Sequence, residues 1–208
     1  WTEGEQYGRF FDNVTDNVTF ARFQCFDFEG MERLGIVIEP LVFYLLHRMN
    51  EFIYDPALFT TLKIAVVDEA WRFFRHPVTR AYCMEALKTW RKKNAAMILS
   101  TQSLRDLSEV DVLRPLIESC PTKLLFANPT LDGTFYGDVL GLTAIEQEKI
   151  RGLIPKRQFL LKRDGLSKVL NLNVDRKSYW LFTTNPFEVA RRNDLVEQVG
   201  LKSALEIL

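Results

Sequence analysis

Two short apolar runs constrain this chain more than any other feature. Lys63–Val67 reads KIAVV and ends in Asp68-Glu69, while residues 95–100 read AAMILS and end in Thr101-Gln102. Runs this short, without polar alternation and closed by polar residues, suit strands buried on both faces of a parallel sheet. Between them, residues 77–93 carry a helical pattern, with Pro77 near the first turn and basic residues in the last. Residues 122–127 form a third run of the same kind. Strands alternating with helices over short connections predict an α/β layered fold with a mostly parallel sheet and flanking helices.

The rest of the chain fills in around that frame. Residues 1–19 are polar, with a tandem DNVT, and read as an exposed loop or hairpin. Residues 19–28 are rich in aromatics and read as a strand. Leu41, Leu45, Met49 and Phe52 give residues 37–53 a helical face, which Asp55-Pro56 breaks. Residues 110–119 read as a helix containing Pro115. Thr143 and Glu146 form a capping box for a helix that stops near Gly152. Residues 158–174 read as an antiparallel hairpin turning at Asp164-Gly165, with Leu170, Leu172 and Val174 on one face. Residues 178–184 suit one more strand. Asn185, Pro186 and Glu188 then supply a cap, a first-turn proline and an N3 acid for a helical tail over 185–208.

Composition excludes several classes. With 208 residues, 47% apolar and 26% charged, the chain is globular and of single-domain size. Lys plus Arg equals Asp plus Glu at 27 each, so no global field draws it to nucleic acid or an anionic membrane. No apolar stretch approaches the length of a membrane span. The three cysteines are widely separated, which argues against a disulfide framework or a structural zinc site. There is no GxSxG and no HExxH, and His47 and His76 lack metal-site spacing. Trp71 and Trp90 stand at helical positions and read as core.

The chemistry sits where the strands end. Carboxylates leaving a buried strand lie at the sheet edge where open α/β folds bind ligands. In a P-loop ATPase, Asp68 would hold Mg2+, usually through water, and Glu69 would act as general base on the attacking water. The plainer reading is that the pair ends a strand and caps the next helix. Gln102, at the end of the next strand, suits a sensor, because an amide donates to phosphate and accepts from water at once; the plainer reading is a loop cap. Arg91, with Lys92 and Lys93, reads either as a cationic turn complementing the helix dipole or as an arginine finger for a neighbouring subunit's nucleotide. Lys156, Arg157, Lys162, Arg163, Lys168, Arg176 and Lys177 read as a solvated face or as a surface for nucleic acid, a partner or a membrane face. No glycine is followed by lysine, so no GxxxxGK[ST] loop is present and its phosphate-holding nest and lysine are missing.

The motifs in order resemble a known family. Asp68-Glu69-Ala70-Trp71, then LKTWRKKN over residues 87–94, then Ser100-Thr101-Gln102-Ser103, Gly141-Leu142-Thr143, the FLLKRDG of residues 159–165 and the Asn-Pro helix resemble the ATPases of type IV secretion and conjugation, the VirB/TrbE/CagE group. The resemblance implies a RecA-like P-loop NTPase of the HerA/FtsK branch using ATP and Mg2+. It implies a hexamer hydrolysing ATP between subunits, peripheral to the cytoplasmic side of the bacterial inner membrane, working with other secretion ATPases and inner-membrane components. By position, Asp68 and Glu69 match the Walker B pair, Gln102 the sensor and Arg91 the trans-acting arginine. It further implies that residues 1–208 are the C-terminal portion of the motor domain, with the Walker A loop upstream and little activity in this portion alone. A DNA-translocating motor of the same branch and a non-catalytic docking module of a secretion complex are the alternatives.

Overall fold

The computed structural model describes residues 8–12, 14, 15, 18, 19, 21–31, 35–102, 104, 105 and 112–208. The chain falls into two compact units, Trp1–Ser119 and Cys120–Leu208.

The first unit contains α1 (Gly8–Phe11), α2 (Gly35–Tyr54), β1 (Lys63–Val67), α3 (Trp71–Arg75), α4 (Pro77–Thr89), β2 (Ala95–Leu99) and α5 (Leu113–Ser119). β1 and β2 pair in parallel, Lys63 opposite Ala95 and Val67 opposite Leu99. A 3-10 turn, Trp90–Lys93, follows α4 and ends at Asn94 in the left-handed region (φ 52). Asparagine tolerates that conformation better than most residues. The Asn94 carbonyl then accepts from Lys63 N–H at 3.0 Å, which starts the ladder.

The core of this unit is Ile53, Ala86, Trp90 and Ala95, with Met49, Tyr82, Ala65 and Met97 packed against it. Trp90 is fully enclosed, its ring edge-on to Tyr82 at 6.4 Å. α2 and α4 thus cover one face of β1–β2. The other face is open: Ile64, Val66 and Ile98 are 57%, 66% and 52% exposed. Strands buried on both faces were the expectation; burial instead alternates, because no described element of this unit lies over the second face.

Two further expectations change here. The described part of residues 19–28 contains bends and no strand, and Phe23 is 90% exposed. Aromatic composition favours a strand only where another strand pairs with it. Of the loop expected over 1–19, the described part includes the single turn α1. The helix expected over 110–119 is present from Leu113; residues 110 and 111, like Ser103, lie outside the described residues.

The second unit contains β3 (Lys123–Phe126), α6 (Gly133–Leu140), α7 (Ala144–Arg151), β4 (Gln158–Arg163), β5 (Leu166–Asn171), α8 (Arg176–Phe182), α9 (Pro186–Val199) and α10 (Leu201–Ile207). Its sheet runs β3-β4-β5, and both pairings are antiparallel. The described strands thus form one parallel pair and one antiparallel sheet, so a mostly parallel arrangement holds only for the first unit. Leu160 in β4 and Ile150 in α7 are fully buried. The hairpin turns at Asp164-Gly165 as expected, with Gly165 at φ +69. The single dry face expected on its second strand is not formed: Val169, Leu170, Leu172 and Val174 are all 36–46% exposed. The capping box is complete, Thr143 and Glu146 each bonding the other's backbone N–H.

Residues 178–184 do not form the expected strand. Asp175 accepts from Ser178 N–H at 3.0 Å and caps α8, so a local cap overrides the strand preference of Tyr179, Trp180 and Phe182. The tail is helical, and Asn185 caps α9 by accepting from the N–H groups of Phe187 and Glu188.

Candidate functional site

The parallel register sets the geometry. Val67 and Leu99 end β1 and β2 side by side, and the ladder runs on past them. Ser100 N–H donates to Val67 carbonyl at 2.9 Å, and Ala70 N–H donates to Ser100 carbonyl at 2.8 Å. The segments leaving the two strands are therefore stitched together before either turns away. Two candidate side chains meet directly across that join. Gln102 donates from Nε2 to Glu69 Oε1 at 2.5 Å. A carboxylate oxygen only accepts, so the amide must present its nitrogen.

Glu69 is held in an unusual backbone state, with φ +47. Non-glycine residues in the left-handed region carry a cost of order 1–3 kcal/mol and persist where the surroundings over-determine them. The surroundings here are visible. Glu69 N–H donates to Asp68 Oδ1 at 3.0 Å, Glu69 carbonyl accepts from Arg72 N–H at 2.9 Å, and Ala70 is tied to Ser100.

Trp71 completes the cluster. Its indole Nε1–H donates to Glu69 Oε2 at 2.7 Å, and the Arg72 guanidinium lies 5.3 Å from the indole ring. Both oxygens of Glu69 therefore accept from side chains. Reading Trp71 and Trp90 alike as core was half right. Trp90 is core, whereas Trp71 is half-buried at the acidic corner. Its position two residues after the acid was the signal, since that spacing lets a side chain fold back over a tight turn.

Asp68 is exposed at the same strand end. An open carboxylate with Oδ1 engaged by a backbone N–H suits a hydrated Mg2+, which keeps most of its water shell and takes one or two carboxylates. Among the described residues no group of three or more His, Cys, Asp or Glu gathers into a metal cage.

Arg91 is not brought to this corner. It lies in the turn before β2 and is exposed, whereas Gln102 follows β2. A five-residue strand separates them, roughly 17 Å at about 3.3 Å per residue. The basic stretch also divides. Lys162 forms a salt bridge with Glu146 at 2.8 Å and Lys177 one with Glu206 at 3.5 Å, while Lys156, Arg157, Arg163, Lys168 and Arg176 are exposed. The three cysteines are free thiols, and burial pushes Cys83 up to about 11.

Residues 9–208 match the family described as the TraG P-loop domain. The chain belongs to that family. As a TraG P-loop domain it is 31% identical to the type IV secretion system protein virB4 of Bartonella henselae, over 96% of its own length and 26% of that protein's. It is 33% identical to the conjugal transfer protein TrbE of Rhizobium radiobacter, over 73% of this chain and 18% of TrbE. The resemblance to type IV secretion and conjugative transfer ATPases therefore holds, and the chain spans about a quarter of the length of such relatives. A solved VirB4 from Thermoanaerobacter pseudethanolicus aligns with 62% of this chain and 33% of its own at 20% identity, with a TM-score of 0.44. Among the described residues no helix is long and apolar enough to cross a membrane.

Proposed function

We propose that this domain supplies the acidic and sensor half of an ATP-hydrolysing site in a motor that energises type IV secretion or conjugation. The observation that carries the reading is the contact between Gln102 and Glu69 at 2.5 Å, just beyond the ends of two neighbouring parallel strands. A strand-ending acid pair alone is a weak motif; an amide brought from the adjacent strand within reach of the second acid is what supports a hydrolytic site. Membership of the TraG P-loop family and similarity to proteins named for type IV secretion and conjugal transfer support it.

In this reading Glu69 takes a proton from the attacking water as its oxygen bonds the γ-phosphorus. The bond to the β-phosphate oxygen breaks and ADP leaves with the electron pair. Gln102 turns from Glu69 to orient that water and a γ-phosphate oxygen. Asp68 would hold Mg2+, which would supply charge neutralisation at the phosphates. Arg91 serves a neighbouring copy's nucleotide, as expected of a hexamer with sites between subunits, peripheral to the inner membrane on its cytoplasmic side. This chain contains no GxxxxGK[ST], so by itself it binds ATP weakly.

The test uses a longer protein in which this domain is joined to such a loop. Glu69→Gln should retain ATP binding and lose about 10²–10⁴-fold in turnover, the usual worth of a general base. Unchanged turnover, measured by phosphate release, would remove Glu69 from the role.

A further inference from the structure

We propose that Trp71 is the positioning residue for the general base: its indole N–H fixes the direction of the Glu69 carboxylate. This rests on the reading of Glu69 as base. The contact is short, 2.7 Å from Nε1 to Oε2. It is built into the turn, since Trp71 begins α3 two residues after Glu69, and the bond from Arg72 N–H to Glu69 carbonyl closes that turn at 2.9 Å.

The chemistry of the donor matters. Indole nitrogen donates and never accepts, so it can orient a carboxylate without competing for the proton that carboxylate takes up. A hydroxyl or a lysine there would offer an alternative proton path. The partner on Oε1 is of another kind. Gln102 is exposed, and the proposed sensor role requires it to leave Glu69 for the phosphate. Once it has gone, Trp71 remains the side chain holding the acid, while the left-handed backbone of Glu69 sets where its side chain begins (φ +47). Oε2 stays with the indole and Oε1 faces the water. The Arg72 guanidinium beside the indole ring steadies the tryptophan in turn.

A positioning role makes a specific demand. Loss of the N–H must lower kcat without raising KM for ATP, and it must act through Glu69. In the longer protein, Trp71→Phe is expected to lower kcat about tenfold, the scale of one hydrogen bond to a charged group, with KM unchanged. Made together with Glu69→Gln, it should add no further loss to the residual rate, since the group it positions no longer serves as base. Should Trp71→Phe fail to fold, β-(3-benzothienyl)alanine at position 71 keeps the bicyclic shape and replaces only the N–H. The proposal is overturned if kcat is unchanged, or if the loss is equally large in the Glu69→Gln background, which marks plain packing. A Glu69→Gln protein with full turnover would instead overturn the base assignment itself.

Discussion

If Gln102 is the sensor proposed, it has two jobs that exclude each other in time. In the structure its amide nitrogen is spent on Glu69 Oε1, yet a sensor must spend it on phosphate. In this contact the acid is held by two donors, Trp71 and Gln102. Gln102→Ala would release one of them and also remove the sensor. The second loss should dominate, because donors aimed at developing phosphoryl charge are worth far more than a solvent-exposed contact. Turnover in the longer protein should fall by about 10²-fold, with ATP binding nearly intact; a turnover within twofold of the parent would show that Gln102 merely closes a loop. Asp68, Glu69 and Gln102 were legible in the sequence because each follows an apolar run, and strand ends point where ligands bind. The contact of Trp71 with Glu69 was not. Helical spacing says which residues share a face, but not that a turn at φ +47 folds the indole back onto an acid.

At the scale of elements, α7 and β4 are joined by one partly buried charge pair. Burial alone would push the Glu146 carboxyl up, but hydrogen bonds from Lys162 and Thr143 outweigh it and hold the group at about 2. The folded value lies below the unfolded one of about 4.3, so the stabilisation is fully present above about pH 4.3 and fades as pH falls toward 2. Lys162→Met should cost about 1–3 kcal/mol at neutral pH, because it removes the ammonium partner of a carboxylate with 9% side-chain exposure while the bonds from Thr143 remain. Urea unfolding followed from pH 7 to pH 2 checks both: the parent should lose stability through the acid range more steeply than Lys162→Met, and parallel curves would contradict the pairing. Caps such as Thr143, Asn185 and the Asp164-Gly165 turn were readable because their chemistry is local. The cap at Asp175 was just as local but was outvoted by three aromatics. The partner of β3 was beyond any local rule, since nothing in residues 123–126 distinguishes a parallel from an antiparallel neighbour.

For the molecule as a whole, the deciding question is whether Arg91 serves a nucleotide, as proposed, and in which copy. Gln102 follows β2 and Arg91 precedes it, so the strand's length holds their backbones apart within a single copy. The sequence left open whether the basic turn complements a helix dipole or reaches into a neighbour. The exposed place of Arg91 in the turn before β2 suits both readings, and the two differ in how they behave in mixtures. Arg91→Ala alone should abolish turnover of the longer protein with assembly intact if it acts in trans, whereas a helix-end charge costs at most about 1 kcal/mol of stability and leaves turnover untouched. Arg91→Ala subunits keep Glu69, and Glu69→Gln subunits keep Arg91. In a ring built head to tail, each site takes its base from one subunit and its arginine from the next. Random co-assembly should then restore about one quarter of the sites, although each parent is inactive. If both groups served the same copy, every site in the mixture would lack one of them. Phosphate release from a titration of one variant into the other separates the cases: a peak near equal proportions requires Arg91 to act across the interface, and a flat line at the parents' level excludes it.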